Sequence, residues 1–173
     1  MIKLIFGKQN SGKSEYYERL LEAEDFIFYF ATLDILPETI STIERHRKRR
    51  ADNWIVSESH GDIIQDKVTI SDIAQRHYES LHCLIDGLVN WCIFCAKQNL
   101  DFLKAANAVS DTIIELTIKY NKVNWYLLEN EMEDYINIPV RALVWQVLYD
   151  KLKNEIEDVT LVNWRSDHEY IMD

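Results

Sequence analysis

The chain has 173 residues and a formal net charge of −10, enough length for one α/β domain with a sizeable core and too little for two comfortable ones. So acidic a balance excludes a broad nucleic-acid footprint, which needs surplus positive charge. With 47% hydrophobic residues, 4 glycines and 2 prolines, the composition is that of a globular protein rather than a disordered one.

The opening Met1-Ile-Lys-Leu-Ile-Phe6 is too short an apolar run for a signal peptide. No stretch approaches the roughly 20 apolar residues of a membrane span. Three cysteines, Cys83, Cys92 and Cys95, do not make a disulfide framework. The expectation is a reduced, cytoplasmic protein, with residues 1–173 forming a single domain.

Residues 2–6 read as a short strand, apolar on both faces. A helix should follow from about Gly12, with Leu20 and Leu21 on its buried side and Tyr17 one turn earlier. Residues 26–31 make a second buried strand. From Pro37 the pattern turns helical, and Ile40, Ile43 and Arg47 share a face. Residues 54–56 suggest a third short strand. Ser71-Asp72 reads as the start of a helix, and Cys83-Leu-Ile-Asp86 as a central strand. A helical stretch over 89–120 is interrupted around Asn99 to Ala108. Strands at 123–128 and 159–164 flank a helix over 139–156. Strands alternating with helices imply an α/β fold, a mostly parallel sheet with helices on both faces.

Gly7-Lys8-Gln9-Asn10-Ser11-Gly12-Lys13-Ser14 matches G-x-x-x-x-G-K-[ST], between a buried strand and a helix. The glycines let the backbone wrap until successive N–H groups point at phosphate oxygens, and the helix adds its positive N-terminal end. Lys13 reaches the β and γ phosphates and the Ser14 hydroxyl ligates Mg²⁺. This local nest can hold an anionic nucleotide despite the global charge. An acid at the end of a neighbouring strand commonly completes such a Mg²⁺ site, and Asp86 is the candidate; alone it would read equally as a capping aspartate.

A second signal lies in residues 29–58: Tyr29-Phe-Ala-Thr32, then Ile43-Glu-Arg-His46-Arg47-Lys48-Arg49-Arg50, then Trp54 and Glu58. Together with the phosphate loop, this resembles the bifunctional adenosylcobinamide kinase/adenosylcobinamide-phosphate guanylyltransferase family. That family carries Y-I-A-T after its second strand and R-I-x-x-H-R-x-x-R-P-x-x-W-x-T-x-E, and His46, Arg47, Arg50, Trp54 and Glu58 fall on the spacing. Asp86-Gly-Leu-Val-Asn-Trp91 resembles its D-C-L-T-L-W, and Asn130-Glu131 its T-N-E. The resemblance implies a RecA-like P-loop NTPase fold, use of GTP or ATP with Mg²⁺, phosphorylation of adenosylcobinamide (a corrinoid), and transfer of GMP through a guanylyl-histidine at His46. It also implies a homo-oligomer, a trimer, working in cobalamin biosynthesis. The implied nucleotide contacts are the phosphate loop, Ala31, Thr32, Leu33, Arg47, Lys48, Arg49, Arg50, Glu58 and Asp86. The chemistry is sound in itself: a neutral imidazole attacks phosphorus, and covalent catalysis divides one transfer into two. Forked guanidinium donors match phosphate oxygens.

The chain departs from the family in places. Ala51 and Val56 replace the motif's proline and threonine. After Asn130-Glu131 the glycines of V-G-x-G-I-V-P give way to Glu133 and Tyr135, Pro139 comes one residue late, and Arg141 is a loose counterpart of the family's first arginine. Two alternatives therefore stay open: a nucleotide-binding paralogue without transferase activity, in a regulatory or assembly role, and a P-loop kinase of another small molecule.

Cys92-Ile-Phe-Cys95 lacks the partners of a metal site and reads as core. His77 and His82 read as ordinary packed or polar histidines. Glu129, Glu131, Glu133 and Asp134 read as a solvated loop, and the five tryptophans as core or interface residues.

Overall fold

A computed structural model describes residues 1–33, 35–58, 63–76, 80–96, 101–131, 139–165 and 168–172. Strands β1 (Ile2–Gly7), β2 (Ile27–Ala31), β3 (Ile55–Ser57), β4 (Leu81–Asp86), β5 (Val123–Asn130), β6 (Val159–Arg165) and β7 (His168–Met172) form one sheet in the order β3-β2-β4-β5-β1-β6-β7. All neighbours pair in parallel except β6 with β7. The helices are α1 (Lys13–Leu21), α2 (Ile40–Arg49), α3 (Ile63–Arg76), α4 (Leu88–Ala96), α5 (Phe102–Lys119) and α6 (Pro139–Glu155).

Side chains alternate across a strand, so each central strand feeds two cores. Phe28, Phe30, Cys83, Ile85, Trp125 and Leu127 pack on one face with residues of α3, α4, α5 and α6. Ile27, Tyr29, Leu84, Tyr126, Leu128 and Trp164 pack on the other with Tyr17 and Leu21 of α1. Burial on both faces explains why these strands read as continuous apolar runs. All five tryptophans are buried. So are the three free cysteines, whose burial pushes the thiols of Cys83 and Cys92 far above their ordinary range. His82 is packed beside Tyr126, 3.3 Å from Glu24. Among the described residues no helix is long and apolar enough to cross a membrane.

The sequence expectations need four corrections. Leu20 is 45% exposed while Leu21 is buried, because Tyr17 and Leu21 are one turn apart and Leu20 turns off their stripe. On α2 the inward residue is His46, not Arg47, which is exposed. The helix expected to begin at Ser71 begins at Ile63, so Ser71 and Asp72 lie inside it; Asp66, Ile70 and Ala74 form its buried stripe. The interruption expected up to Ala108 ends earlier: the Asp101 side chain accepts a 2.7 Å bond from Lys104 N and caps α5 at Phe102. The sheet's β7 had no sequence expectation at all. His77, Glu133, Asp134 and Tyr135 lie outside the described residues.

Gly87 joins β4 to α4 with φ +92°, and a Cβ there would sit 2.9 Å from both Asn90 Nδ2 and Thr32 Oγ1. Gly87→Ala should destabilise the fold by about 1–3 kcal/mol, since it meets both backbone strain and a close contact. Urea unfolding of the variant beside the wild type measures this.

Candidate active site

The parallel register brings four strand ends to one edge. Gly7 of β1 lies opposite Asn130 of β5, Leu128 of β5 opposite Asp86 of β4, and Asp86 opposite Ala31 of β2. Ligand sites of open α/β sheets form at this carboxyl edge.

Between β1 and α1 the chain makes the phosphate loop. Asn10 (φ 59°) and Gly12 (φ 86°) take left-handed conformations that turn the backbone. Gly12 caps α1 without a side-chain bond, so the first helical N–H groups are left for an anion. Lys13 Nζ donates to the carbonyls of Gly7 and Lys8, both at 3.2 Å, and to Asn130 Oδ1 at 3.0 Å. Its ammonium is thus held across the loop. Below the loop, Trp164 of β6 donates from Nε1 to Ser11 O at 2.9 Å. A Cβ on Gly7 would come within 3.0 Å of Trp164 Cβ and O, so only glycine fits. Ser11 Oγ is buried without a hydrogen-bond partner. A buried orphan hydroxyl, an uncapped helix start and a bridging ammonium together fit a phosphate chain. Lys8, Gln9 and Asn10 are exposed and Ser14 is half-buried.

A second cluster adjoins this edge. Glu18 stands one turn after Ser14 on α1, hence on the same side of that helix. It is 2% exposed. His46 Nδ1 donates to Glu18 Oε1 at 2.7 Å, and Arg49 Nε donates to Glu18 Oε2 at 2.5 Å. Asp86 Oδ2 lies 3.8 Å from His46 Nδ1. Burial alone would push the Glu18 carboxyl up; the hydrogen bonds from His46 and Arg49 outweigh it and hold the carboxyl below its ordinary range. Glu18, His46 and Asp86 each offer a ligand-type atom within 4.8 Å of the others. The Arg49 guanidinium, 3.2 Å from His46 Nδ1, already supplies the cation there, so the cluster is an ion-pair network rather than a metal cage. Asp86 also accepts at its carbonyl from the Thr32 hydroxyl, which ties the end of β2 to it.

The other basic residues of 45–50 diverge. Arg47 pairs with Glu58 at 2.6 Å near the surface, both about half exposed. Lys48 is exposed, as is Leu33 after β2. Arg50 lays its guanidinium over the Tyr29 ring at 3.8 Å, and Trp54 stacks on the same ring. Burial and the nearby Asp86 charge push the Tyr29 phenol well up, so it stays neutral. The structure therefore gathers Lys13, His46, Arg49 and Asp86 towards one edge, and sends Arg47 and Glu58 to each other.

Sequence reasoning passed over three residues of this site: Glu18, Asn130 as a partner of Lys13, and Trp164. Only Glu18 left a signal, an acid on the buried side of an amphipathic helix, four residues after the phosphate-loop serine.

Residues 3–136 match the protein family described as cobinamide kinase / cobinamide phosphate guanyltransferase. No curated protein sequence matches the chain. Among solved structures, a phosphate-loop protein's ATPase domain is similar with a TM-score of 0.57 at 11% identity, over 96% of this chain and 70% of that one. A likeness at that identity concerns the fold, and the fold is that of a P-loop ATPase domain.

Because the Glu18 pKa is lowered in the folded protein, its ion pairs stabilise the fold above the ordinary carboxylate range. That stability is lost as pH falls through the folded value. Glu18→Gln should lower the unfolding free energy by about 1–3 kcal/mol at neutral pH, and the gap should close below about pH 4. Chemical denaturation across that pH range measures it.

Proposed function

The chain belongs to the cobinamide kinase / cobinamide phosphate guanyltransferase family, and from that premise we propose that it is a single-domain enzyme with both activities. In the first, the γ phosphate of GTP or ATP passes to the hydroxyl of adenosylcobinamide. In the second, His46 attacks the α phosphate of GTP and hands GMP to the cobinamide phosphate. The observation that carries this reading is the placement of His46 beside Asp86, at the same sheet edge as the phosphate loop.

The roles follow from the chemistry. Backbone N–H groups from Gly7 to Ser14 bind phosphate oxygens, and Lys13 neutralises charge on the β and γ groups. Ser14 and Asp86 would hold Mg²⁺, which supplies charge neutralisation at the transferring phosphate. Arg49 faces His46 and Arg50 lies one residue on; both suit the charge that develops on a transferring phosphate. Ala31, Thr32 and Leu33 border the nucleotide from the end of β2, and Arg47, Lys48 and Glu58 border it from α2 and past β3. The working form is a cytoplasmic homo-oligomer, a trimer, with a corrinoid as acceptor.

The nucleotide half of the family pattern is better kept than the acceptor half, where Glu133 and Tyr135 replace glycines. This favours a second reading, a nucleotide-binding paralogue without the transferase step. GTP labelled at the α phosphate separates the two. The transferase reading expects acid-labile, base-stable label on the denatured wild type and none on His46→Ala. An unlabelled wild type leaves a kinase or a binding protein.

Phosphorylation of cobinamide with GTP or ATP tests the kinase half. Lys13→Ala should reduce it by at least about a hundredfold, because the loop loses the ammonium it holds towards the β and γ phosphates. Steady-state rates of the two proteins decide this.

A further inference from the structure

We propose that Glu18 is the positioning residue for His46: it accepts from Nδ1–H, fixes that tautomer, and leaves Nε2 as the nitrogen that carries the lone pair. The proposal deepens the transferase reading and rests on it.

Glu18 is an expensive residue to keep. Its side chain is 1% exposed, and a carboxylate so buried costs free energy unless charged donors meet it. Two do, one on each oxygen: His46 Nδ1 on Oε1 and Arg49 Nε on Oε2. With its carboxyl held ionised, Glu18 has no proton to give. The proton in the 2.7 Å contact therefore belongs to His46 Nδ1. Arginine is always a donor, so Arg49 Nη2, 3.2 Å from the same nitrogen, cannot take that proton. Its place is to hold the carboxylate still from the other side. Asp86, at 3.8 Å, is beyond hydrogen-bond distance and adds only negative potential. The charged groups facing the ring are thus Glu18 from α1, Arg49 from α2 itself and Asp86 from β4. In a histidine nucleophile or base held by a carboxylate, the acid orients the ring and compensates its charge without taking its proton.

The transfer step balances on this arrangement. The Nε2 lone pair forms a bond to the α phosphorus, and the bond from that phosphorus to the bridging oxygen breaks. Pyrophosphate leaves with that electron pair. The ring becomes a cation with its proton still on Nδ1, and the Glu18 carboxylate compensates the charge. In the second half, an oxygen of the acceptor phosphate attacks phosphorus and the bonding pair returns to Nε2. No proton leaves Nδ1 in either half. A Glu18 that only bolted α2 to α1 would have no bearing on which ring nitrogen carries the proton.

The test has two arms. In the first, long-range ¹H–¹⁵N spectra of the wild type at about pH 8.5, some two units above the ordinary imidazole value, read the His46 tautomer. Nδ1–H is expected; Nε2–H, or a ring still doubly protonated, overturns the proposal. In the second, the rate of label uptake from α-labelled GTP is compared among the wild type, Glu18→Gln and Glu18→Asp. Glu18→Gln should slow uptake about a hundredfold while affinity for a fluorescent GTP analogue changes less than about threefold. Glu18→Asp, which keeps the charge, should recover part of the rate. A folded Glu18→Gln that takes label at the wild-type rate overturns the proposal. If that variant does not fold, the tautomer and Glu18→Asp decide: a rate unchanged in Glu18→Asp with an Nε2–H wild type overturns it, and Nδ1–H with a slowed rate supports it. A wild type that takes no label defeats the transferase reading alone, because the tautomer arm needs no turnover.

Discussion

The parallel register of four strands governs everything else in the site. Gly7, Asn130, Asp86 and Ala31 end level with one another because β1, β5, β4 and β2 pair without offset. A slip of one residue would turn Leu4 or Ile85 from its own core into the opposite one. The same slip would carry Asp86 away from His46 and Asn130 away from Lys13. Core packing and site geometry are therefore one constraint. The hydrophobic pattern that fixes the sheet also fixes where the charged groups stand.

That edge resolves the conflict between a net charge of −10 and a phosphate ligand. Long-range repulsion between exposed charges is screened within about 10 Å at moderate ionic strength. Close contacts then decide, and those at the loop are an uncapped helix start, the Lys13 ammonium and the basic segment of α2. Glu18 takes part from the opposite sign. Buried beneath α2, it draws His46 and Arg49 inward, while Glu58 draws Arg47 outward. Two acids thus sort neighbouring cations of one helix into an inner and an outer set.

The phosphate loop was legible because its chemistry requires fixed residue types at fixed spacing. So was the alternation of strands and helices, because burial on both faces forces apolar runs. His46 was legible from the residues around it, yet its partner was not. A buried glutamate has the same letter as a solvated one, and only the tertiary approach of α2 to α1 tells them apart. The helix boundary at Ile63 was hidden for a similar reason. Asp66 looks like a polar break in the sequence, but it is buried and bonded to the Ser57 hydroxyl at 2.8 Å. β7 escaped because Glu169, a charged residue in its middle, has local uses: it accepts from the Tyr17 hydroxyl at 2.5 Å and lies 3.7 Å from Lys3. Trp164 looked like core and is core, with one polar atom assigned to the phosphate loop.

The end of β5 shows how the two halves of the site are joined. Successive residues of a strand face opposite ways. Glu129 turns to one side, where its carboxylate accepts from Val89 N at the start of α4 and from Asn130 N; a buried acid at a helix start is favoured there by the helix dipole. Asn130 holds Lys13. One strand end therefore braces both the loop that binds phosphate and the helix that follows Asp86. Beyond the next residues α6 begins at Pro139, a residue suited to a first helical turn, and its Arg141 donates to Asn90 Oδ1 of α4 at 2.7 Å. The chain thus leaves this corner at Asn130 and is tied back to it at Arg141. Backbone groups and strand register set the nucleotide side, and these tolerate changes of side chain. On the acceptor side, between Asn130 and Arg141, side chains themselves must recognise the substrate, and there the sequence has moved furthest from the family pattern.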